Sequence, residues 1–162
     1  MQELPGWLKH ATVWLVLSAG LFLAVQAWQR QQEAARIEVS GGVVEIRRGS
    51  DGHYHWPGRV AGQPVDFLVD TGATSTALPA ALARQLGLAA VDRVRSSTAG
   101  GVVLADVVVA DLSLQGGLRA ERLRMTALPG LQAPLLGMDV LGKLRWTQQD
   151  GVLRFELRAP ER

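Results

Sequence analysis

Phe67-Leu68-Val69-Asp70-Thr71-Gly72-Ala73-Thr74-Ser75 is the stretch on which the interpretation of this chain turns. An apolar run delivers an aspartate into a tight Asp-Thr-Gly turn, and small hydroxyl-bearing residues follow. Asp and Gly dominate turns, so the tripeptide alone is compatible with an ordinary surface reversal. The apolar character of the preceding strand predicts instead that the turn is buried. An isolated buried carboxylate is costly, so Asp70 then needs either a partner or a chemical purpose.

Outward from this turn the chain breaks into short apolar runs cut by glycine. Upstream, Val43 to Arg48, His53 to Val60 and Pro64 to Val69 read as strands, the last two joined through Ala61-Gly62-Gln63. Downstream, Ser75 to Leu78 is extended. Pro79 to Leu86 is a short helix, with Pro tolerated in the first turn and Gly87 stopping it. Val91 to Ser97 and Val102 to Val109 flank Thr98-Ala99-Gly100-Gly101 as a second hairpin. Leu112 to Leu114 and Leu118 to Thr126 are further strands. Leu135 to Leu144 has helix-like apolar spacing, and Arg145 to Thr147 with Val152 to Leu157 closes a last hairpin around Gln149-Asp150-Gly151. Many short strands with two brief helices predict an all-β, barrel-like domain.

The first residues have a different character. Ala11 to Ala27 carries no charge, and Thr12, Ser18 and Gln26 are its polar residues. At about 1.5 Å per residue this run approaches the thickness of a hydrocarbon core, and Trp7 and Trp28 flank it as interfacial tryptophans do. It is read as one N-terminal transmembrane helix. A cleaved signal peptide is the alternative, with Val25-Gln26-Ala27 offering small residues at a cleavage spacing. Lys9 on one side and Arg30 and Arg36 with Glu33 on the other leave the orientation undecided. The expected organisation is an anchor over residues 1–28, a stalk or linker over 29–42, the β-domain over 43–158 and a tail over 159–162.

Composition narrows the chemistry. The chain has 162 residues, 48% hydrophobic and 20% charged, which suits one packed domain with a short appendage. It has no cysteine, which excludes disulfides, thiolate catalysis and Cys-based metal sites. A net charge of +2 without basic clusters argues against a nucleic-acid partner. His53 and His55 alternate on one strand face but lack an evident third ligand, so no metal and no cofactor is expected. Arg119, Arg122 and Arg124 read as a solvated strand face.

Val65 to Leu88 (VDFLVDTGATSTALPAALARQLGL) resembles the catalytic loop of retropepsin-like aspartic proteases, and in particular a bacterial family with an N-terminal membrane anchor. Gly52-His53-Tyr54, leading into Arg59-Val60-Ala61-Gly62-Gln63-Pro64-Val65, resembles that family's first strands. Leu135-Leu136-Gly137-Met138-Asp139-Val140-Leu141 resembles its Leu-Leu-Gly-Met helix, which packs behind the loop. The three motifs occur in the family's order and cover roughly Gly52 to Leu157. Pro57, Gly101 and Asp139 depart from the pattern and bear on local conformation.

The resemblance implies a closed retropepsin-like barrel and an aspartic endopeptidase acting on polypeptide substrates. Asp70 would be the catalytic acid, supported by Thr71, Gly72, Ala73 and Thr74, with Thr71 bonding across a pair of loops and Gly72 letting the backbone approach the carboxylate. Thr98, Ala99, Gly100 and Gly101 would form the tip of a substrate-covering flap. Two carboxylates in contact cannot both ionise, so such a pair holds one acid and one base. Asp51-Gly52 and Asp150-Gly151 lack the hydroxyl residue between them, so the second aspartate would come from another copy in a homodimer. The resemblance also places the chain ends, with Val152 to Leu157, in an intermolecular sheet. It implies a single-pass protein of the bacterial inner membrane with a periplasmic domain. Asp139 is expected to be structural, capping or pairing with an arginine. The competing interpretation is a catalytically idle member of the fold, used at the membrane as a peptide-binding or dimerisation module.

Overall fold

The computed structural model describes residues 7, 14–26, 37–40, 42–98 and 100–157, with 37–40 described by backbone alone. The chain divides into two compact units, Met1–Ala35 and Arg36–Arg162. In the first, residues 14–26 form helix α1, whose apolar side chains are exposed. Ser18 Oγ returns a hydrogen bond to the carbonyl of Trp14 at 2.7 Å, so its hydroxyl is satisfied within the helix. No helix among the described residues is long and apolar enough to cross a membrane. Both ends of the apolar run at 11–27 lie outside the described residues.

The second unit holds β1 (Ile37–Ser40), β2 (Val43–Arg47), β3 (His55–Val60), β4 (Gln63–Val69), β5 (Ala77–Pro79), α2 (Ala80–Gln85), β6 (Ala90–Thr98) and β7 (Gly101–Leu114). It continues with β8 (Arg119–Leu128), β9 (Leu135–Leu136), α3 (Met138–Leu141), β10 (Arg145–Gln149) and β11 (Val152–Glu156). One sheet runs β3-β4-β9-β5-β8-β7-β6, and β7 also pairs with β3, so the sheet closes into a barrel with β6 projecting from it. Closure depends on the length of β7. Its start pairs with β6, its middle with β8, and Leu112–Leu114 reach Gly58–Val60 of β3. A closed sheet leaves few main-chain edges to manage.

A second sheet, β1-β2-β11-β10, is antiparallel throughout. Alternation aims one of its faces inward: Val44 and Ile46 of β2 and Leu153 and Phe155 of β11 are buried, while Glu45 and Arg154 pair outside at 2.9 Å. Phe155 stacks at 4.4 Å on Trp56 of the barrel, whose indole N–H donates to the Gln115 carbonyl at 2.8 Å. Burying such an aromatic contributes roughly 1.5–3 kcal/mol, so this pair ties sheet and barrel into one core.

Several expectations are corrected. Leu135 to Leu144 is not one helix. Leu135 and Leu136 are drawn into the barrel between β4 and β5, and only Met138–Leu141 is helical. Leu112 to Leu114 is the end of β7 rather than a separate strand, because a bulge at Asp111 carries the chain onward. The expected linker contains β1. Val152–Glu156 does not wait for another molecule, since β2 and β10 occupy both of its edges.

Candidate functional site

β4 carries alternate side chains inward, Val65 and Phe67, and its last residues lead straight into the Asp70 turn. Three main-chain bonds fix where it ends. Leu68 N–H donates to the Pro134 carbonyl at 2.8 Å, Val69 N–H to the Tyr54 carbonyl at 2.9 Å, and Asp70 N–H to the Leu136 carbonyl at 3.0 Å. The aspartate is thus held on both sides, by β3 and by β9.

Within the turn, Gly72 N–H donates to Asp70 Oδ1 at 2.8 Å. A Cβ at Gly72 would stand 3.1 Å from that oxygen, a tight contact that glycine avoids. Ala73 N–H bonds the Asp70 carbonyl at 3.3 Å and closes the turn. The turn is not buried in the single chain. Asp70 and Ala73 are half-buried, and Thr71, Gly72 and Thr74 are exposed. The apolar strand predicted burial correctly as far as Phe67, but beyond it no described residue covers the turn.

Behind the turn, the β9–α3 segment acts as a backing plate. Met138 N–H donates to the Ala73 carbonyl at 2.8 Å and Asp139 N–H to the Thr74 carbonyl at 3.1 Å. Asp139 Oδ1 accepts from Thr76 N–H at 2.9 Å, from Thr76 Oγ1 at 2.8 Å and from Val140 N–H at 3.0 Å. Thr76 Oγ1 in turn accepts from Gly137 N–H at 3.2 Å, so this wholly buried hydroxyl is used as donor and acceptor. A Cβ at Gly137 would lie 2.4 Å from the Ser75 carbonyl carbon, a contact that only glycine permits. Asp139 is therefore structural, as expected, and its partner is Thr76 rather than an arginine.

The β6–β7 hairpin folds where the sequence places it, with Thr98 opposite Gly101 and Thr98 Oγ1 donating to the Gly101 carbonyl at 2.8 Å. Gly101 has φ +109°, and Ala99 lies outside the described residues. Val94 and Val103 of this hairpin pack with Ala105, Leu131 and Leu135 in a small apolar cluster. Leu135 pairs with Leu68, so the hairpin's base joins the strand next to Asp70. No local pattern signals this cluster, because Leu131 and Leu135 reach it only through barrel closure. A surface groove of about 960 Å³ opens elsewhere, between the start of β8 and Lys143, Leu144 and Arg145, and no residue of the Asp70 turn lines it.

The Arg group on β8 is exposed as expected, with Arg124 paired to Asp92 at 3.0 Å. Sequence reasoning weighs His55 only as a metal ligand and misses its two carboxylate partners. Its Nδ1 contacts Asp66 Oδ2 and its Nε2 contacts Asp51 Oδ2, each at 2.8 Å. His53 is not on the β3 strand face but in the turn before it, where its N–H donates to Asp51 Oδ1 at 3.1 Å.

Residues 56–140 match the family profile described as aspartyl protease. No curated protein matches the chain. Among solved structures the chain is similar to a retropepsin-like aspartic protease from Rickettsia conorii, with 22% identity, 74% of this chain and 93% of that one covered, and a TM-score of 0.58. It also matches the simian foamy virus (mac) protease, with 22% identity, 54% and 91% of the two chains covered and a TM-score of 0.43. The first of these likenesses shows the fold, an all-β closed barrel with short helices of the retropepsin-like kind.

Proposed function

Because the chain belongs to the aspartyl protease family, we propose that it is an endopeptidase whose active site is completed by a second copy of itself, with one Asp70 from each chain. One observation carries this. Asp70 is a single half-exposed carboxylate in an Asp-Thr-Gly turn, and the sequence contains no second Asp-Thr-Gly or Asp-Ser-Gly. Asp139, the acid on the segment that backs the turn, already spends one oxygen on three hydrogen bonds. A two-fold axis beside Asp70 supplies the missing carboxylate from the same surface that needs covering.

In that arrangement the two carboxylates share one proton and titrate as a unit. The ionised one takes a proton from water as the water oxygen attacks the scissile carbonyl carbon. The protonated one gives its proton to the carbonyl oxygen. Collapse of the tetrahedral species then breaks the C–N bond, with a proton passing to the leaving amine. Gly72 N–H, bonded to Asp70 Oδ1, engages one carboxylate oxygen and leaves the other to face the water. Thr71 is exposed and free to bond across the pair. Thr98 to Gly101 close over the peptide as a flap and exclude bulk water. The apolar run at 11–27 anchors the chain as a single-pass helix in a bacterial inner membrane with the protease domain in the periplasm, and confinement there raises the effective concentration of partners.

The test uses the purified full chain in detergent with an unstructured protein substrate at several pH values. Cleavage whose specific activity falls on dilution is expected, and Asp70→Asn should remove it. Wild-type cleavage by the Asp70→Asn chain would overturn the assignment.

A further inference from the structure

His55 stands at the start of β3, opposite Leu68 of β4. Asp66 is two residues before Leu68, so it lies on the same face of β4 and its carboxylate reaches Nδ1. Asp51 comes from the turn that links the terminal sheet to the barrel and reaches Nε2. Both ring nitrogens are therefore spoken for by carboxylates, and both carboxylates can only accept unless protonated. A neutral imidazole has one N–H and cannot serve two such acceptors, whereas an imidazolium has two.

The surroundings support a cation here. The charged or titratable groups facing His55 are Asp51 from the preceding turn and Asp66 from β4. Beyond Asp51, in the same turn, stand His53, whose N–H bonds that carboxylate, and Arg48, whose Nε bonds the Gly52 carbonyl at 2.6 Å. Partial burial pulls the His55 pKa down, but the hydrogen bonds to Asp51 and Asp66 outweigh it and hold the pKa above 6.5. The bond to His55, aided by the His53 N–H, lowers Asp51 to about 2.

The clamp is coupled to the candidate active site by two short links. Tyr54, next to His55, accepts the Val69 N–H through its carbonyl at 2.9 Å, and Val69 precedes Asp70. His55 itself faces Leu68, whose N–H holds the Pro134 carbonyl on the far side of the turn. We propose that His55, bridging Asp51 and Asp66, is a positioning residue for the Asp70 turn, and that it holds the turn only while its ring carries both protons. The inference rests on the protease reading for its effect on turnover, but not for the clamp itself.

The direction with pH follows from the two shifts. The His55 contribution is fully present below its unfolded value of 6.5 and is lost as pH rises through the raised folded value. The Asp51 contribution is present above 3.8 and is lost as pH falls toward about 2. The clamp is thus closed across the mildly acidic range in which a proton-sharing carboxylate pair works, and it opens toward alkaline pH.

The experiment compares the full wild-type chain in detergent with His55→Gln, His55→Arg and the double variant Asp51→Asn/Asp66→Asn. Imidazole NMR should show one histidine, absent from His55→Gln, titrating above 6.5 in the wild type and moving down in the double variant. At mildly acidic pH, His55→Gln should lower kcat about tenfold with little change in KM, as misplacement of a reacting group does. His55→Arg, a permanent cation, should restore kcat and flatten its decline between neutral and alkaline pH. A His55 that titrates at or below 6.5, or a His55→Gln chain with wild-type kcat and pH profile, overturns the proposal. If the wild type cleaves no peptide, the protease reading fails, while the titration and the pH dependence of melting still decide the clamp.

Discussion

One carboxylate oxygen of Asp139 accepts both the N–H and the hydroxyl of Thr76, at 2.9 and 2.8 Å. Thr76 is completely buried, so removing the acceptor strands two donors away from water. Asp139→Ala should therefore lower unfolding stability by about 2–4 kcal/mol, from two unsatisfied groups of about 1–3 kcal/mol each reduced by partial relaxation. Asp139→Asn keeps an acceptor oxygen and should cost about 1–2 kcal/mol, the charge-assisted share. Both variants should retain cleavage below their melting temperatures. A stable but inactive Asp139→Asn chain would exchange the structural role of Asp139 with the catalytic role proposed for Asp70.

Gly137 is packed against main chain. Its missing Cβ would sit 2.4 Å from the Ser75 carbonyl carbon and 2.8 Å from Thr76 N, neither of which is the flexible end of a side chain. Gly137→Ala should destabilise the domain by about 2–3 kcal/mol or more, as overpacking without room to relax does. Because the displaced residues follow the Asp70 turn directly, kcat should fall even in the fraction that remains folded. Thermal melting and active-site titration on the same sample separate the two effects.

Asp70→Asn should leave melting unchanged within about 0.5 kcal/mol, as substitutions outside a packed network do. Mixed in excess with wild-type chains and allowed to exchange, it should inhibit, because a mixed pair holds one ionisable acid instead of two. Residual activity should approach the fraction of wild-type pairs. Additive, non-interfering activities would speak for a monomeric enzyme, and sedimentation of the active species would confirm it.

At the hairpin tip, Gly100→Pro stiffens a connection that the proposed flap needs to move. Turnover should drop about tenfold or more while the melting temperature shifts little, since Val102 and Leu104 beside the tip are exposed. Hydrogen exchange along Arg95 to Leu104 would report whether stiffening occurred. An unchanged kcat in a demonstrably stiffened tip removes the flap assignment.

Much of the barrel is legible because its strands obey simple rules. Val65 and Phe67 are buried on either side of the exposed Asp66, and Ala61-Gly62 and Asp150-Gly151 adopt positive φ at both turn positions, the signature of tight hairpins. What cannot be read locally is made by distant partners. Leu135 and Leu136 carry helix-like spacing, and only their insertion between β4 and β5 makes them strand. Arg122 takes φ +49° because Asp111, eleven residues earlier, captures its N–H across a bulge. The Asp51–His55–Asp66 bridge is invisible for the same reason: an i,i+4 spacing suggests nothing in a turn and strand, and Asp66 becomes a neighbour only through the β3–β4 register.

β11 has β2 on one edge and β10 on the other, both from its own chain. The chain thus completes this sheet by itself. Folding and pairing become two separate equilibria, whereas a sheet woven from two chains would merge them into one. With the pairing proposed for Asp70, such a chain can persist folded, solitary and inert, and its latency needs no inhibitory segment. The local abundance of its own kind is then sufficient to set when it begins to cut.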